Sequence, residues 1–302
     1  MMKKTRRSRC SSPLAVLAVI VSVWTLAGCQ FINTPTAKGP KSGTAVHVAA
    51  SPVRVESRNG SVEIVADPAR SDVQIDATVT CAGDTQQEAD QRLADASLDV
   101  SRDTSHALIV KPVFPGGPRS NDGASFVIHL PDAAGVDVKT SNGAVIVRTL
   151  SGKLVIDTSN ASIKVTDHNG PATLSSSNGS ITVTNLNGDL QANTSNASVT
   201  AHDIKGKATI DTSNGSIDLV LNPAASGPIV LDTSNASIKV LVGKSFLGDV
   251  SLKTSNASVR IAGEGVASDQ ISKTSAVVHM GAGGANSTVK SSNANIEFAV
   301  TK

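Results

Sequence analysis

The sequence predicts an all-β protein, a single-domain parallel β-helix (β-solenoid) of 18–21-residue coils behind an N-terminal cap of strands and one short helix. Three observations carry this reading. A Thr/Ser-Ser-Asn-Gly/Ala turn recurs at fixed spacing, and a fixed period of this length is the signature of stacked coils. Between the turns, apolar and polar residues alternate with period two, as in strands that bury one face. The buried set is small and medium aliphatics, and the 302 residues include only 5 Phe, 1 Trp and no Tyr. A narrow coil interior suits such residues, whereas a barrel of this size needs bulky fillers. Asn-Gly is also a hairpin signal, so an antiparallel β-meander closing into a barrel is the alternative architecture. The identical turn in every unit favours the helix, since stacking then places Asn on Asn and Gly on Gly.

The chain opens with Lys3, Lys4, Arg6, Arg7 and Arg9, followed by an apolar run from Pro13 to Trp24 that is too short to span a bilayer as a helix. Positive, apolar and then small residues in that order read as a secretory signal peptide over residues 1–28. Leu26-Ala27-Gly28-Cys29 resembles the lipobox of bacterial lipoproteins, which implies cleavage before Cys29 and acylation of its thiol. Cleavage also changes the charge. The whole chain has 27 Lys+Arg against 25 Asp+Glu, and the leader removes five cations and no acid, leaving 22 against 25. No Lys/Arg cluster survives, so a nucleic-acid partner is not expected. Cys10 leaves with the leader, so Cys81 has no disulfide partner and is expected in the core.

Residues 29–43 are expected to be the lipidated cysteine and a flexible tether, because Gln30–Gly43 is rich in Pro, Gly, Thr and Lys without periodicity. Residues 44–139 are expected to form the β-rich cap, with strands at Val53–Val65, Val73–Cys81, Leu98–Val100, Leu108–Val113 and Phe126–Leu130. Thr85-Gln86-Gln87-Glu88 is a capping-box pattern, and Ala89, Leu93 and Ala96 fall on one helical face. Pro115–Gly123 reads as a surface loop.

Residues 140–302 carry the repeat. Its turn asparagines are Asn142, Asn160, Asn178, Asn196, Asn214, Asn235, Asn256 and Asn293, the first four steps being 18 residues and the next two 21. A degenerate copy lies at Thr274-Ser275-Ala276 and an early one at Arg58-Asn59-Gly60. In the unit Thr158–Ser175, Ile163/Val165 and Ala172/Leu174 are the inward pairs of two short strands, and the other units repeat the pattern. Gly152, Gly170, Gly188, Gly206, Gly227 and Gly248 share the Asn spacing and suit tight corners, where positive φ costs glycine little. Thr and Asn of each turn are expected to face the interior at the corner. There, Asn amides stacked about 4.8 Å apart can hydrogen-bond along the column.

The "SNG-x-V/I-x-V" and "L-x-G-x-L/A-x-I" units, with the strand-helix-strand block before them, are similar to the putative adhesin family of bacterial envelope proteins. The resemblance covers about residues 45–302, implies a β-helical repeat domain and brings no catalytic residue. Together with the lipobox it implies a lipid-anchored cell-envelope protein outside the cytoplasm, at the outer membrane or cell surface rather than the inner membrane. Gln30 in place of Asp fits that sorting. The expected partners are the membrane, through the lipid, and an unidentified protein or glycan; a periplasmic scaffold or envelope-sensing module is the alternative.

Sharper chemistries are set aside on the residues. Most turn asparagines sit in Asn-x-Ser sequons, but the turn itself needs the Asn. Asp157, Asp211 and Asp232 share a column with Lys139, Ser175, Asn193, Lys253, Lys273 and Lys290, which is a solvated face rather than a calcium site. The six histidines form no metal-ligand spacing, and His168 occupies the corner position held by Leu150, Leu186 and Ile204. No metal, cofactor or catalytic residue is expected: the mature chain lacks aromatic platforms for sugars, and no Gly-x-Ser-x-Gly, Walker or His-Glu-x-x-His motif occurs. An ice-binding surface is not expected either, because the recurring Thr precedes a turn and no Thr-x-Thr strand face is anticipated.

Overall fold

The computed structural model describes residues 34–263 and 266–301, and Thr34–Lys302 form one unit. The signal-peptide and lipobox readings lie outside the described residues. The chain begins with β1 (Thr36–Val46), β2 (Val53–Glu56), β3 (Val62–Ala66), β4 (Asp72–Ala82), α1 (Gln86–Asp95), β5 (Ser97–Arg102), β6 (Leu108–Val113) and β7 (Gly123–Leu130). Two-strand coils follow: β8 and β9 (Gly135–Thr140, Val145–Arg148), β10 and β11 (Lys153–Thr158, Ile163–Asn169), β12 and β13 (Ala172–Ser176, Ile181–Asn187). The next are β14 and β15 (Leu190–Thr194, Val199–Ile204), β16 and β17 (Ala208–Thr212, Ile217–Leu221), β18 and β19 (Ile229–Thr233, Ile238–Val242), and β20 and β21 (Asp249–Thr254, Val259–Ala262). A hairpin, β22 and β23 (Ala267–Ser272, Ser275–His279), precedes the last coil, β24 and β25 (Ser287–Ser291, Ile296–Val300).

The strands form two long, mainly parallel sheets, and the fold is a β-solenoid. Neither sheet closes: one runs from β1 to β21, the other from β22 to β5. The barrel alternative therefore does not hold. Register is set by like stacking on like. Leu154 pairs with Ala172 and Ile156 with Leu174 on one face, and Ile163 with Ile181 and Val165 with Val183 on the other. A slip of one residue would turn each buried column out to solvent, and these residues are at most 1% exposed.

Spatial order departs from chain order at both ends. The coil β2–β3 lies between β6–β7 and β8–β9, since β2 pairs with β6 and β8 and β3 with β7 and β9. The coil β24–β25 lies between β18–β19 and β20–β21. The coil β2–β3 thus joins the rest of the cap to the first repeat coil: Val53–Ala66 is a true coil broken by a turn at Arg58-Asn59-Gly60, not one continuous strand. Thr274-Ser275-Ala276, read as a degenerate coil turn, instead joins the antiparallel β22 and β23.

The tether reading is corrected in part. Thr36–Gly43 belongs to β1, which pairs antiparallel with β4 over eleven positions, Thr36 opposite Ala82 through Val46 opposite Asp72. Composition misleads here because β1 is an edge strand, where Pro40 and two lysines are tolerated. Its glycines have a packing reason: a Cβ on Gly39 would lie 3.1 Å from the Leu93 side chain of α1.

The helix starts where the capping box places it. Thr85 Oγ1 accepts from the Glu88 amide at 3.1 Å, and a Glu88 carboxylate oxygen accepts from the Asp84 amide at 2.6 Å. Ala89 is fully buried, and the face it shares with Leu93 and Ala96 also carries Arg92, 7% exposed. Arg92 Nη2 donates to Asp122 Oδ2 at 2.8 Å, and Asp122 also accepts from the Ala82 and Arg119 amides at 2.7 Å each. The loop Pro115–Gly123 is therefore a surface loop only in part; its far end holds a fully buried carboxylate. Burial alone would raise the Asp122 pKa, but the Arg92 and amide hydrogen bonds outweigh it and hold it below the usual carboxylate range.

Candidate interaction surface

The repeated turn builds one edge of the solenoid. Nine asparagines stack there in spatial order Asn59, Asn142, Asn160, Asn178, Asn196, Asn214, Asn235, Asn293 and Asn256, each Nδ2 donating to the Oδ1 of the coil before it at 2.6–2.9 Å. At the cap end Asn59 Nδ2 donates to the carbonyls of Ser120 and Asp122, both at 2.8 Å. Backbone bonds run in parallel, such as Asn178 N to the Ser159 carbonyl at 2.9 Å and Asn214 N to the Ser195 carbonyl at 2.9 Å.

The expectation that Thr and Asn both face inward is half corrected. All nine asparagines are exposed, whereas the Thr or Ser two positions before each from Asn142 onward is buried. Alternation explains the Thr, since β10 buries Leu154, Ile156 and Thr158. The strand ends there, and the bend at Ser159-Asn160 turns the Asn outward although it shares that parity. Inside, Thr194, Thr212 and Thr233 donate to the carbonyls of Gly179, Ala197 and Gly215 in the preceding coil at 3.0–3.3 Å. Each corner therefore holds two ladders, hydroxyls inside and amides outside. Ser141, Ser159, Ser177, Ser195, Ser213 and Ser234 form a further polar row beside the amides, giving the edge an uncharged surface repeating once per coil.

The residue after the Asn sets how closely coils approach. A Cβ on Gly179 would sit 1.7 Å from the carbonyl oxygen of Ala161, and one on Gly215 equally close to that of Ala197. The corner glycines divide into two groups. Gly152, Gly170, Gly227 and Gly248 have positive φ. Gly188 and Gly206 do not, and a Cβ there would instead meet the backbone of the coil below at 2.2 and 2.4 Å.

The opposite corner was missed in the sequence. Thr149, Asp167, Asn185 and Asp203 all lie at φ 55–59°, seven residues after a turn Asn. Asn185 Nδ2 donates to Asp167 Oδ1 at 2.6 Å, and Asn187 Nδ2 to Asn169 Oδ1 at 2.9 Å, so a second short ladder runs there. The Asp and Asn types at this position were the available signal, since both tolerate the left-handed region. His168 follows Asp167 and points inward, 1% exposed, with neither ring nitrogen hydrogen-bonded. Burial lowers its pKa from the ordinary imidazole value.

The outer faces carry columns of mixed charge. Register stacks Glu56, Lys139, Asp157, Ser175, Asn193, Asp211, Asp232, Lys290 and Lys253 in one row. Lys273 lies outside it, because its segment is the hairpin. Burial and the neighbouring Asp211 raise the Asp232 pKa, against a lowering by Lys290. Across the other sheet, Thr182 and Thr184 do form a Thr-x-Thr pair on β13, with Thr200 opposite Thr182 and Thr166 opposite Thr184. That patch spans only three coils. Its neighbours are Lys164 and His202, so it is no regular threonine plane. His279 bridges Asp249 at 2.9 Å and Asp269 at 3.2 Å, which raises its pKa. Cys81 is fully buried, and burial raises its thiol pKa.

Among the described residues no three His, Cys, Asp or Glu side chains are placed to hold a metal ion, and no helix is long and apolar enough to cross a membrane.

No family model matches the chain, and no curated protein matches it. Solved structures do. A putative cell adhesion protein from Clostridium sporogenes is similar at 10% identity, over 87% of this chain and 100% of that one, with a TM-score of 0.23. A putative adhesin from Bacteroides fragilis is similar at 11% identity, over 87% and 98%, with a TM-score of 0.36. A putative adhesin from Parabacteroides distasonis is similar at 10% identity, over 86% and 97%, with a TM-score of 0.33.

Proposed function

We propose that this chain is a non-catalytic, lipid-anchored protein of the cell envelope that presents its solenoid surface for adhesion to a protein or glycan. The observation that carries the reading is the exposed asparagine ladder with its row of serines. It is a rigid polar strip running over nine coils without an inserted loop, and its residues before the Asn are uncharged from Ser141 onward. Rigidity matters because a pre-ordered surface loses little conformational entropy when it binds. Exposed hydroxyls and amides at a constant spacing suit a partner whose own polar groups repeat.

The anchor reading rests on Leu26-Ala27-Gly28-Cys29. One acyl chain binds a membrane only marginally, so the two or three chains expected at Cys29 would be needed for stable attachment. The test joins both parts. Cells expressing the full chain are compared with cells expressing Cys29→Ala for attachment to surfaces coated with extracted envelope glycan or matrix protein. Attachment that requires Cys29, and that Ser177→Lys with Ser195→Lys weakens without unfolding the protein, supports the proposal. Attachment unchanged by those strip substitutions would remove the strip from the account.

A further inference from the structure

The last coil in sequence is not the last coil in space. β24 pairs in parallel with both β18 and β20, and β25 with both β19 and β21. The two flanking coils are successive in sequence, with the same 21-residue step between Asn235 and Asn256 that separates Asn214 from Asn235. They have been parted to admit a third. The slot is matched on both sides: Leu231 and Leu252 both pair with Val289, Ile238 and Val259 with Ile296, and Val240 and Ile261 with Phe298.

We propose that residues 287–300 are an exchangeable coil, and that the slot between β18–β19 and β20–β21 is a docking site for the same segment of a second copy of this chain. The partner is fixed by the match. Any occupant must supply inward Val289, Ile296 and Phe298, all fully buried, and an Asn amide at the Asn293 position to join the ladder. A second copy supplies each of these with every contact unchanged, which is why exchange of an identical element is a low-cost route to association. An empty slot would expose those apolar columns and break the ladder, so the segment leaves only where another replaces it.

The connector supports exchange. Residues 281–286 read Gly-Ala-Gly-Gly-Ala-Asn; Gly281 and Gly283 have φ +100 and +91, and only Gly284 among the six is even half-buried. The seven Cα steps from Met280 to Ser287 span about 23–25 Å when extended, or roughly five strand spacings of about 4.8 Å. In copies that meet end to end, the path from β23 to the partner's slot crosses its own β22 and the partner's β22, β23 and β20, five spacings in all, which the extended connector just spans. The other out-of-order coil, β2–β3, differs: it is joined to paired strands on both sides, β1 before it and β4 after it. This inference holds whether or not the polar strip binds a ligand.

Val230 and Thr288 are direct register partners on the outer face, within the usual Cα separation for a disulfide. The experiment co-expresses two differently tagged full-length chains, one Val230→Cys and the other Thr288→Cys, oxidises the cells and resolves the products without reductant. A covalent heterodimer well above that formed by Val230→Cys with Thr173→Cys, a residue on a distant coil, is the expected result. The double variant Val230→Cys/Thr288→Cys in one chain reports folding by closing a disulfide. If that variant closes only within the monomer, and the mixed single variants give no heterodimer above the distant-coil control, exchange is overturned.

Discussion

Asn293 donates its side-chain amide to Asn235 at 2.8 Å although 58 residues separate them, and it accepts from Asn256, which precedes it in the chain. The ladder is therefore ordered by space and not by sequence. Its continuity across a chain crossing makes the Asn turn a contributor to coil registry beside the buried columns.

Substituting the middle of the ladder tests that role. Asn196→Leu removes one bond to Asn178 at 2.7 Å and one from Asn214 at 2.9 Å. Each bond is worth about 0.5–1.5 kcal/mol net, toward the low end here because water reaches both partners. Thermal melting should fall by a few degrees, as about 1 kcal/mol moves a domain of this size by roughly 2–4 °C. An unchanged melt would show that the exposed column does not hold the coils.

The inner ladder should matter more. Thr212 Oγ1 donates to the Ala197 carbonyl at 3.3 Å and accepts from the Gly215 amide at 3.1 Å, and the residue is 2% exposed. Thr212→Val keeps the shape and strands a buried N–H, a loss of about 1–3 kcal/mol. The pair of melts should rank Thr212→Val below Asn196→Leu; the reverse order would place the registry outside.

Close approach between coils predicts an asymmetry within one column. Gly179→Ala puts a methyl 1.7 Å from the Ala161 carbonyl oxygen, so backbone must move, and overpacking of this kind costs about 1–3 kcal/mol. Ala197→Gly at the next coil creates no clash and should cost less, about 1 kcal/mol from added unfolded-state entropy. Equal chemical denaturation midpoints for the two variants would refute the contact.

His168 gives a pH dependence with a definite sign. Its folded pKa is lowered by burial, while the unfolded side chain titrates near 6.5, about the reference value. Above that value both states are neutral and stability is fully present. As pH falls below it the unfolded chain takes up a proton that the folded chain does not, and stability declines toward the folded pKa. No charged group offsets this: Arg148, Lys153, Lys164, Asp167 and Asp189 on the adjoining elements are all exposed. His168→Leu, matching Leu150 and Leu186, should flatten the stability profile between about pH 7 and 5. Denaturant midpoints across that range would expose a profile that keeps its slope.

The capped end should be sensitive to its buried ion pair. Asp122→Ala leaves Arg92 unpaired at 8% side-chain exposure, and breaking such a pair costs about 3–5 kcal/mol. Hydrogen exchange should then rise first in β4 and α1, whereas a uniform rise over all coils would mean that cap and coils unfold together.

The repeat was legible because period-two alternation and the Asn-x-Ser spacing both survive in the linear chain, and Ile163, Val165, Ala172 and Leu174 took the predicted faces. Spatial order was not. Nothing in Asn256 or Asn293 marks which stacks on Asn235, because every turn presents the same amide and the same inward aliphatics. β1 was hidden by composition, since edge strands accept the Pro and Lys that otherwise signal loops. The outward placement of Asn was not legible by parity, since Asn160 shares the parity of the buried Leu154, Ile156 and Thr158; the bend after β10 breaks the alternation and turns it out. Asp122 was masked by its loop: its burial depends on Arg92, thirty residues earlier on α1.

The central claim, a rigid strip displayed by the cell envelope, is tested most directly by protease shaving of intact cells with permeabilised cells as the control. The account predicts that the chain is cleaved on intact cells and that Cys29→Ala releases it from the membrane fraction. Cleavage only after permeabilisation would contradict surface display, and the chain would then be read as a periplasmic scaffold or envelope-sensing module.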